Sequence, residues 1–414
     1  MSEPGIVELE LTAMAHGGSA LGRHQGQVIF VPYAIPGETV RVEIIESRTR
    51  WARARLVEIL APSPHRVDPP CPYFGPDKCG GCQYQHIAYE AQAEFKSQVV
   101  VDQLARVGGL HGIDTAEIIA AAEPWSYRNH AQFSVTPAGR LGFLTADTHH
   151  VIAVDECLLL DPLLDDLWAA LDMKWPQLHR LSLRCGSATG DLMAVFELDH
   201  YEDFDIEVDF PVSCVILLAD GEAAVLMGEP HLVEYVAGRD YTISAGSFFQ
   251  VNTAGAEVLV ALVRDYLAPT GDETLLDLYC GVGLFGLSLA EQVGHVVGVE
   301  ADPSAAADFR RNAQGMDHVS LLEGKVQAVL AHLEEPVDSV VLDPPRSGTG
   351  ERAVGEIARL APHRIVYVSC DPATLARDAR RLVDSGYQPV QVQPVDLFPQ
   401  TYHVESVALF TRQD

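Results

Sequence analysis

The sequence predicts an α/β protein, with a doubly wound, mostly parallel sheet near its C-terminus. A small β-barrel and a β-rich central region precede that sheet. From about residue 272, short apolar runs alternate with helical stretches, which is typical of a doubly wound sheet. A glycine-rich loop directly follows the first of these runs. Short strands punctuated by glycines fill the N-terminal segment, as they do in small barrels.

Three domains are expected along the chain. The barrel strands are predicted from apolar runs at residues 6–15, 26–35, 38–47 and 53–62. A proline-rich stretch, APSPHRVDPPCP, follows as a linker, and helical spacing then continues until Gly108-Gly109. The rest of the central region is mostly strand-like. The expected domains are the barrel over residues 1–62, the central domain over 63–240 and the sheet domain over 241–414.

Composition limits the expected location and partners. The chain has 414 residues, 48% of them hydrophobic, and no uncharged apolar run of about 18 residues, so we expect no membrane span. The acidic N-terminus shows no secretion signal, so a cytoplasmic protein is expected. A net charge of −30 argues at first against a nucleic-acid partner. Residues 1–66 are nevertheless neutral, with seven acidic and seven basic residues.

The C-terminal sheet is predicted to contain seven strands. They are expected at residues 274–278, 295–300, 319–323, 339–343, 364–369, 389–393 and 406–411. Helical stretches lie between the earlier strands, as in a sheet that is covered by helices on both faces. Ligands of such sheets bind beyond the carboxyl ends of the strands, so functional residues are expected there.

The glycine-rich loop predicts a nucleotide-type cofactor. In LLDLYCGVGLFGLSLA, Gly281, Gly283 and Gly286 follow the first strand, and Glu300 lies 19 residues after Gly281, at the end of the second. Glycines let the backbone approach a ligand, and the acid can accept ribose hydroxyls. The same pattern occurs in NAD sites and in packing loops without a ligand. With Asp277 before the glycines, DLYCGVG resembles motif I of class I methyltransferases, which bind S-adenosylmethionine.

A second motif, VVLDPPRSG at the end of the fourth strand, narrows the chemistry. Its Asp343-Pro344-Pro345 resembles the acid-Pro-Pro motif of methyltransferases that act on bases. In enzymes that methylate amines an aromatic residue follows this motif, whereas Arg346 follows it here. This difference disfavours methylation of an exocyclic amine and leaves methylation of a carbon more open.

Carbon methylation requires a nucleophile and a base, and the sequence offers candidates for both. C5 of a pyrimidine is a poor nucleophile, and a thiolate that adds at C6 activates it. Cys370 follows the fifth strand in VYVSCDPATLARD, and we expect a helix starting near Ala373 to lower the pKa of its thiol. By itself, a cysteine after a strand is more often buried filler. Glu405, just before the last strand, and His403 are the candidate bases.

Six segments together resemble the RNA 5-methyluridine methyltransferases and occur in that family's order: SFFQVN, DLYCGVG, GVE, LDPPRSG, VSCDPATLARD and HVESVALF. The resemblance covers the C-terminal domain and implies the Rossmann-like fold of class I methyltransferases. It implies that Cys370 is the nucleophile and that Glu405, rather than His403, is the base. The contacts to S-adenosylmethionine that it implies are made by Gln250, Tyr279, Glu300 and Asp343.

Four cysteines form a candidate metal site in the central domain. CPYFGPDKCGGCQYQ has the spacing C-x7-C-x2-C, and a further cysteine lies downstream in VDECLLLDP. Four thiolates suit zinc or an iron–sulfur cluster, and the spacing leaves both open. Many members of the resembled family carry a [4Fe–4S] cluster on such a three-plus-one arrangement. The resemblance therefore implies a cluster on Cys71, Cys79, Cys82 and Cys157.

The barrel resembles a TRAM domain through AHGGSALGRHQGQVIFVPYAIPGETVRVEI, and such barrels bind RNA. RTRWARAR adds Arg48, Arg50, Arg53 and Arg55 around Trp51. Arginine pairs with phosphates, and an aromatic ring stacks on bases. An ordinary strand with a solvated arginine face would give the same pattern.

We therefore expect a monomeric, S-adenosylmethionine-dependent RNA uracil-C5 methyltransferase that acts on a flipped uridine. A TRAM domain together with a cluster resembles the 23S rRNA enzymes more than the short tRNA enzymes, and tRNA is the alternative substrate. An NAD-type oxidoreductase and a non-catalytic RNA-binding protein are the remaining alternatives.

Overall fold

The computed structural model describes residues 5–146, 148, 150–171, 178–199, 208–219 and 221–413. Its strands form a closed barrel, a seven-stranded central sheet, a two-stranded hairpin and a seven-stranded C-terminal sheet. Among these residues, no helix is both long and apolar enough to cross a membrane. The expected α/β class, with a barrel and a β-rich central region before the main sheet, is confirmed.

The N-terminal barrel has five strands. They are β1 (Ile6–Met14), β2 (Ala20–His24), β3 (Gln27–Val31), β4 (Thr39–Ser47) and β5 (Trp51–Ala61). The barrel closes in the order β1-β2-β3-β5-β4, around an interior filled by alternate apolar residues such as Leu9 and Val40. The sequence does not predict β2, because Gly22 interrupts its apolar alternation. Gly22 is buried where a side chain would collide with the backbone of β1.

The central region contains two helices, a mixed sheet and a hairpin. The helices are α1 (Tyr89–Arg106) and α2 (Pro162–Ala170). The sheet strands are β6 (His130–Val135), β7 (Leu141–Leu144), β8 (Val151–Ala153), β9 (Arg180–Cys185), β10 (Leu192–Leu198), β11 (Ser213–Leu218) and β12 (Ala223–Met227). The hairpin consists of β13 (His231–Val236) and β14 (Arg239–Ser244).

The hairpin belongs to the hydrophobic core of the C-terminal domain. Leu232, Val236 and Ile243 are buried in one cluster with Leu259 and with residues of the main sheet. The domain boundary expected at residue 240 falls inside β14 and would divide this hairpin. We therefore propose that the C-terminal domain begins before β13.

The C-terminal domain alternates strands and helices. The strands are β15 (Thr274–Leu278), β16 (His295–Glu300), β17 (Val319–Glu323), β18 (Ser339–Leu342), β19 (Arg364–Ser369), β20 (Tyr387–Val395) and β21 (Glu405–Arg412). The helices are α3 (Thr253–Leu267), α4 (Leu284–Leu289), α5 (Pro303–Asn312), α6 (Val326–Leu330), α7 (Glu351–Leu360) and α8 (Pro372–Asp384). All seven predicted strands are present, with ends within two residues of the predicted ones.

The order of these strands creates a crevice at the carboxyl edge of the sheet. The order is β17-β16-β15-β18-β19-β21-β20, and β21 runs antiparallel to its two neighbours. Strand β15 pairs with β16 on one side and with β18 on the other. The chain therefore reverses direction across the sheet at this point, which is where doubly wound folds bind ligands.

Helix α1 fixes the segment between β20 and β21. Lys96 is fully buried, and its Nζ lies 2.6 Å from Oδ1 of Asp396. The same nitrogen donates to the carbonyl of Phe398 at 2.9 Å. Burial lowers the pKa of Lys96, and the carboxylate of Asp396 opposes this shift. Because breaking a buried ion pair is strongly destabilising, α1 holds the chain that leads into β21.

Candidate active site

The glycine loop after β15 is held by two carboxylates. Asp277, in β15, accepts the N–H of Gly286 at 2.7 Å, and Glu300, at the end of β16, accepts the N–H of Gly281 at 2.9 Å. A Cβ on Gly286 would lie 2.8 Å from Oδ2 of Asp277, so only glycine lets α4 approach β15 this closely. Tyr279 has a left-handed backbone, with φ of 59°, which is rare for an aromatic residue. The strained turn lies at the crevice.

Buried and half-buried carboxylates gather at the same crevice. The buried Gln250 donates to Oδ2 of Asp343 at 3.3 Å. Burial raises the pKa of Asp343 to about 7. Burial also raises the pKa of Asp277 to about 8, and the charges of Asp343 and Glu300 add to that increase. Oδ1 of Asp277 is buried and has no partner within the described ranges. This arrangement fits a cationic ligand, such as the sulfonium and ammonium groups of S-adenosylmethionine.

Cys370 lies directly after β19, and strand pairing places Glu405 beside it. In the antiparallel pair of β19 and β21, Ser369 is opposite Ser406. One position further towards the end of the pair, Cys370, directly after β19, is therefore opposite Glu405, the first residue of β21. Glu405 is only 3% exposed, and its Oε1 has no partner in the described part of the chain.

The pKa values of Cys370 and Glu405 are both raised. Burial raises the pKa of the Cys370 thiol to about 12, and the carboxylates of Glu405 and Asp343 act in the same direction. Burial, followed by the charge of Asp343, holds the pKa of Glu405 well above its ordinary value. Arg346 opposes both shifts. The thiol pKa is therefore raised, opposite to the net shift expected from the sequence, because burial and two carboxylates dominate it.

From the sequence, Arg346 only disfavours methylation of an amine, but in the structure it is part of the site. Its Nη2 lies 3.3 Å from Nε2 of His403. Burial, and then the charge of Arg346, lowers the pKa of His403 to about 3. A histidine with such a pKa is a poor base near neutrality, whereas Glu405 has a raised pKa and is better suited. The arrangement thus favours Glu405 over His403.

The loop that carries Arg346 is anchored to helix α8. Asp378 accepts the N–H of Thr349 at 2.8 Å, and Arg377 donates to the carbonyl of Ser347 at 2.7 Å. Tyr279 hydrogen-bonds to Thr349, and burial raises the pKa of Tyr279 to about 12. The sequence gives one clue to this anchor, since both α8 residues lie in the ARD ending of VSCDPATLARD.

The four predicted metal ligands line one cavity of about 70 Å³ in the central region. These ligands are Cys71, Cys79, Cys82 and Cys157. Burial raises the pKa of Cys82 to about 12 and that of Cys157 to about 11, and neighbouring thiols add to both shifts. Across the described ranges, no three His, Cys, Asp or Glu side chains are arranged to hold a metal ion. The four sulfur atoms therefore share one cavity, and in the described ranges they do not form the arrangement of a metal site.

The arginines of RTRWARAR divide into two pairs. Arg48 and Arg55 form ion pairs with glutamates of β4. Arg50 and Arg53 make no ion pair with the residues that the structure describes, and the Arg53 guanidinium lies 5.8 Å from the ring centre of Trp51. Two arginines and one aromatic ring therefore remain available to an external ligand on the barrel.

Two segments of the chain match known families. Residues 232–413, which contain the crevice and both Cys370 and Glu405, match the family described as tRNA (Uracil-5-)-methyltransferase. Residues 6–57, which form most of the barrel, match the TRAM domain. The two matches fall on separate parts of the fold, as the sequence resemblances predict.

Full-length relatives include RNA methyltransferases that are themselves described as uncharacterized. One from Thermosynechococcus vestitus is 37% identical over 443 residues, which cover 98% of each chain. Another from Streptomyces avermitilis is 36% identical over 421 residues, which cover 97% of each chain.

A solved structure is also similar along the whole chain. It is the Pyrococcus abyssi tRNA (uracil-54, C5)-methyltransferase in complex with S-adenosyl-L-homocysteine. It matches with a TM-score of 0.77 and 26% identity, over 98% of this chain and 100% of that one. Together with the relatives, this likeness confirms the enzyme class that the sequence predicts. The chain therefore belongs to the RNA uracil-C5 methyltransferase family and carries an N-terminal TRAM domain.

Proposed function

We propose that this enzyme transfers a methyl group from S-adenosylmethionine to C5 of a uridine in RNA, through a covalent bond between Cys370 and C6. The observation that carries the proposal is the pairing of Ser369 with Ser406. This register brings the thiol and the carboxylate of Glu405 to one end of the sheet, beside the cofactor crevice. A nucleophile and a base at that edge are what carbon methylation requires.

The crevice between β15 and β18 would hold the cofactor. The residues proposed to contact it are Gln250, Tyr279, Glu300 and Asp343. When bound, S-adenosylmethionine supplies an electrophilic methyl group on a cationic sulfur. The buried carboxylate of Asp277 and the half-buried carboxylate of Asp343 would stabilise that charge, and a bound cation would in turn favour their ionised forms.

The proposed reaction begins when Cys370 releases its proton to water and its thiolate adds to C6 of the uridine. The electron pair of the C5–C6 double bond would shift towards C5 and O4, and C5 would then take the methyl group from sulfur. The bond between sulfur and the methyl carbon would break and leave neutral S-adenosylhomocysteine. Glu405 then accepts the C5 proton, and the C6–S bond breaks to restore the double bond and the thiolate. Arg346, which favours the ionised forms of Cys370 and Glu405, would also stabilise the negative charge on the ring.

As the substrate, we propose a uridine in 23S rRNA. The support is the combination of a TRAM barrel with a four-cysteine cavity in one chain. Arg50 and Arg53, which form no ion pair with the described residues, would contact phosphates, and Trp51 would stack on an unstacked base. A tRNA uridine is the alternative, and the likeness to the Pyrococcus abyssi tRNA enzyme favours it.

Mapping of 5-methyluridine in a deletion strain tests both parts of the proposal. RNA is compared between the deletion strain and strains complemented with the wild-type chain or with Cys370→Ala. We expect one 5-methyluridine to disappear from 23S rRNA and to return only with the wild-type chain. Loss from tRNA instead would overturn the rRNA substrate and keep the chemistry. Unchanged 5-methyluridine in both RNAs would overturn the chemistry itself.

Calorimetry of cofactor binding separates this function from an NAD-type oxidoreductase, the other function compatible with a glycine-rich loop. We expect the purified protein to bind S-adenosylmethionine or S-adenosylhomocysteine and to show no heat with NAD. Tight NAD binding without binding of either sulfur compound would overturn the proposal.

We also propose that the four cysteines of the central cavity hold a [4Fe–4S] cluster. Four sulfur donors around one cavity suit such a cluster, and the Arg128 side chain lines the same cavity. The Nε of Arg128 is buried without a partner in the described part of the chain, and an anionic cluster would stabilise its charge. Protein purified without oxygen should absorb visible light and contain iron, whereas zinc in place of iron would overturn the cluster.

A further inference from the structure

The loop between β1 and β2 of the barrel reaches the catalytic domain. Two backbone hydrogen bonds close it, from Ala15 N–H to the Ser19 carbonyl and from Gly18 N–H to the Ala15 carbonyl. Gly18 has a φ of +86°, and a Cβ there would lie 3.1 Å from Cβ of Tyr402 and 3.3 Å from Cβ of Gln83. The loop is therefore seated tightly on the segment that leads into β21.

His16 projects from this loop onto the turn that presents the thiol. Its Nε2 lies 3.2 Å from Oδ2 of Asp371, the residue after Cys370. The edge of the His16 ring also packs on Tyr402, with ring centres 6.1 Å apart and planes at 89°. Both side chains of the His16–Asp371 pair are mostly buried, at 29% and 23% exposure. A barrel residue is thus part of the wall of the catalytic turn.

Asp371 uses its two oxygens for different purposes. Oδ1 accepts the N–H of Thr374 at 2.8 Å and so caps helix α8, whereas Oδ2 faces His16. Burial opposes ionisation of Asp371, but the hydrogen bonds from His16 and Thr374 hold its pKa at about 2. Ser369 Oγ donates to the Asp371 carbonyl at 3.1 Å and completes the turn around Cys370. The Asp371 carboxylate therefore joins His16 to the first turn of helix α8, directly after Cys370.

We propose that His16 is a positioning residue for methyl transfer: by fixing the carboxylate of Asp371, the barrel holds the turn that presents Cys370. This proposal rests on the function proposed above, in which Cys370 is the nucleophile. The barrel is then a component of the active-site wall in addition to a surface for RNA. The thiol reaches its working position only when the barrel is docked.

Substitutions of His16 in the full-length chain test this role. His16→Ala removes the contact, and we expect kcat for RNA methylation to fall about tenfold, since small misplacements of reacting groups cost large factors in rate. KM for RNA should change little, because His16 acts on the thiol turn. His16→Gln keeps an amide nitrogen near the position of Nε2 and should restore most of the rate. The side chain in His16→Asn is too short for its amide nitrogen to reach Asp371, so this variant should behave like His16→Ala.

Two further measurements separate positioning from general destabilisation. The rate at which iodoacetamide alkylates Cys370, read from the peptide mass, should change in His16→Ala and return towards the wild-type value in His16→Gln. His24→Ala, at a half-buried histidine of β2 in the same barrel, is the matched control and should leave the alkylation rate and kcat unchanged. Because alkylation requires no methyl transfer, it reports on His16 even when the proposed function fails.

The outcomes that contradict the proposal are specific. Wild-type kcat and wild-type Cys370 alkylation in His16→Ala would overturn it. A rise in KM for RNA with unchanged kcat would overturn it as well, because His16 would then be an RNA contact. Equal losses in His16→Gln and His16→Ala would show that the hydrogen bond to Asp371 has no part in the effect.

Discussion

The two thiol sites of this protein are similarly buried and differ in their neighbours. Burial raises the pKa of both Cys82, in the central cavity, and Cys370, at the sheet edge, to about 12. Around Cys82 the remaining charges that raise the pKa are other thiols. Around Cys370 they are the carboxylates of Glu405 and Asp343, with Arg346 acting against them.

The two thiol sites therefore differ in the groups that surround them and not in the direction of their pKa shifts. A thiol with a carboxylate base and an arginine beside it has the partners that a covalent nucleophile requires. Thiols that face one another lose their protons together when they bind a metal ion. On the function proposed above, the sheet edge would carry out the covalent chemistry and the cavity would hold the cluster.

The strongest test of this contrast is removal of the reacting thiol. Cys370→Ala should lower the rate of 5-methyluridine formation by at least about 10³-fold, since no other group can add to C6. The measurement is mass spectrometry of digested RNA after incubation with S-adenosylmethionine. Cys214→Ala, in the core of the central sheet, is the control and should retain activity. Full activity in Cys370→Ala would remove the covalent mechanism.

Removal of the base should sharpen the contrast by trapping the intermediate. Glu405→Gln should lower turnover by about 10²- to 10⁴-fold, because elimination requires loss of the C5 proton. The methylated RNA should remain attached to the protein and should migrate as a covalent complex on a denaturing gel. His403→Gln, which changes the rival base, should accumulate no such complex. Lost turnover in Glu405→Gln without a covalent complex would contradict the assignment of the base.

The pH dependence of the reaction provides a graded test. Raised pKa values mean that Asp343, at about 7, and Glu405 keep their protons to higher pH than ordinary carboxyl groups do. Because base and thiol must both lose protons, kcat/KM should rise between about pH 6 and pH 8, by up to about 100-fold per unit. Cys79→Ser, in the cavity, should show the same profile. A flat wild-type profile over this range would contradict the proposal that the base and the thiol must both lose protons.

The smallest effect on activity is expected from the cavity itself. Cys79→Ser should abolish visible absorbance and iron binding, because one of four sulfur ligands is lost. Methyl transfer should fall only severalfold. The effect would reach the active site by the hydrogen bond from Gln83 N–H to the Gln400 carbonyl, which links the cysteine loop to the segment before β21. Iron content and methylation are measured on the same preparation, with Cys214→Ser as control. A loss of activity as large as that of Cys370→Ala would place the cavity in the reaction.

Local sequence patterns predict much of the fold and part of the site. The seven C-terminal strands follow from apolar runs, and the glycine loop follows from its spacing next to Asp277. Strand β2 is missed because Gly22 breaks the apolar alternation of its residues. Gly22 allows β2 to pack closely on β1, and no local pattern reveals that contact. Arg346 is placed correctly in its motif, but its contact with His403 depends on a loop elsewhere in the chain.

By itself, the sequence determined the order of the elements, the cofactor loop and the identity of the candidate thiol, because these depend on residues that are neighbours in the chain. Tertiary structure decided the remaining features. The register of β19 and β21 set Glu405 against Cys370, and burial among carboxylates reversed the expected shift of the thiol pKa. The contact of His16 with Asp371 joins residues 355 positions apart. Such electrostatic and positional effects depend on solvent exclusion and on distant segments, so they arise only when the chain is folded.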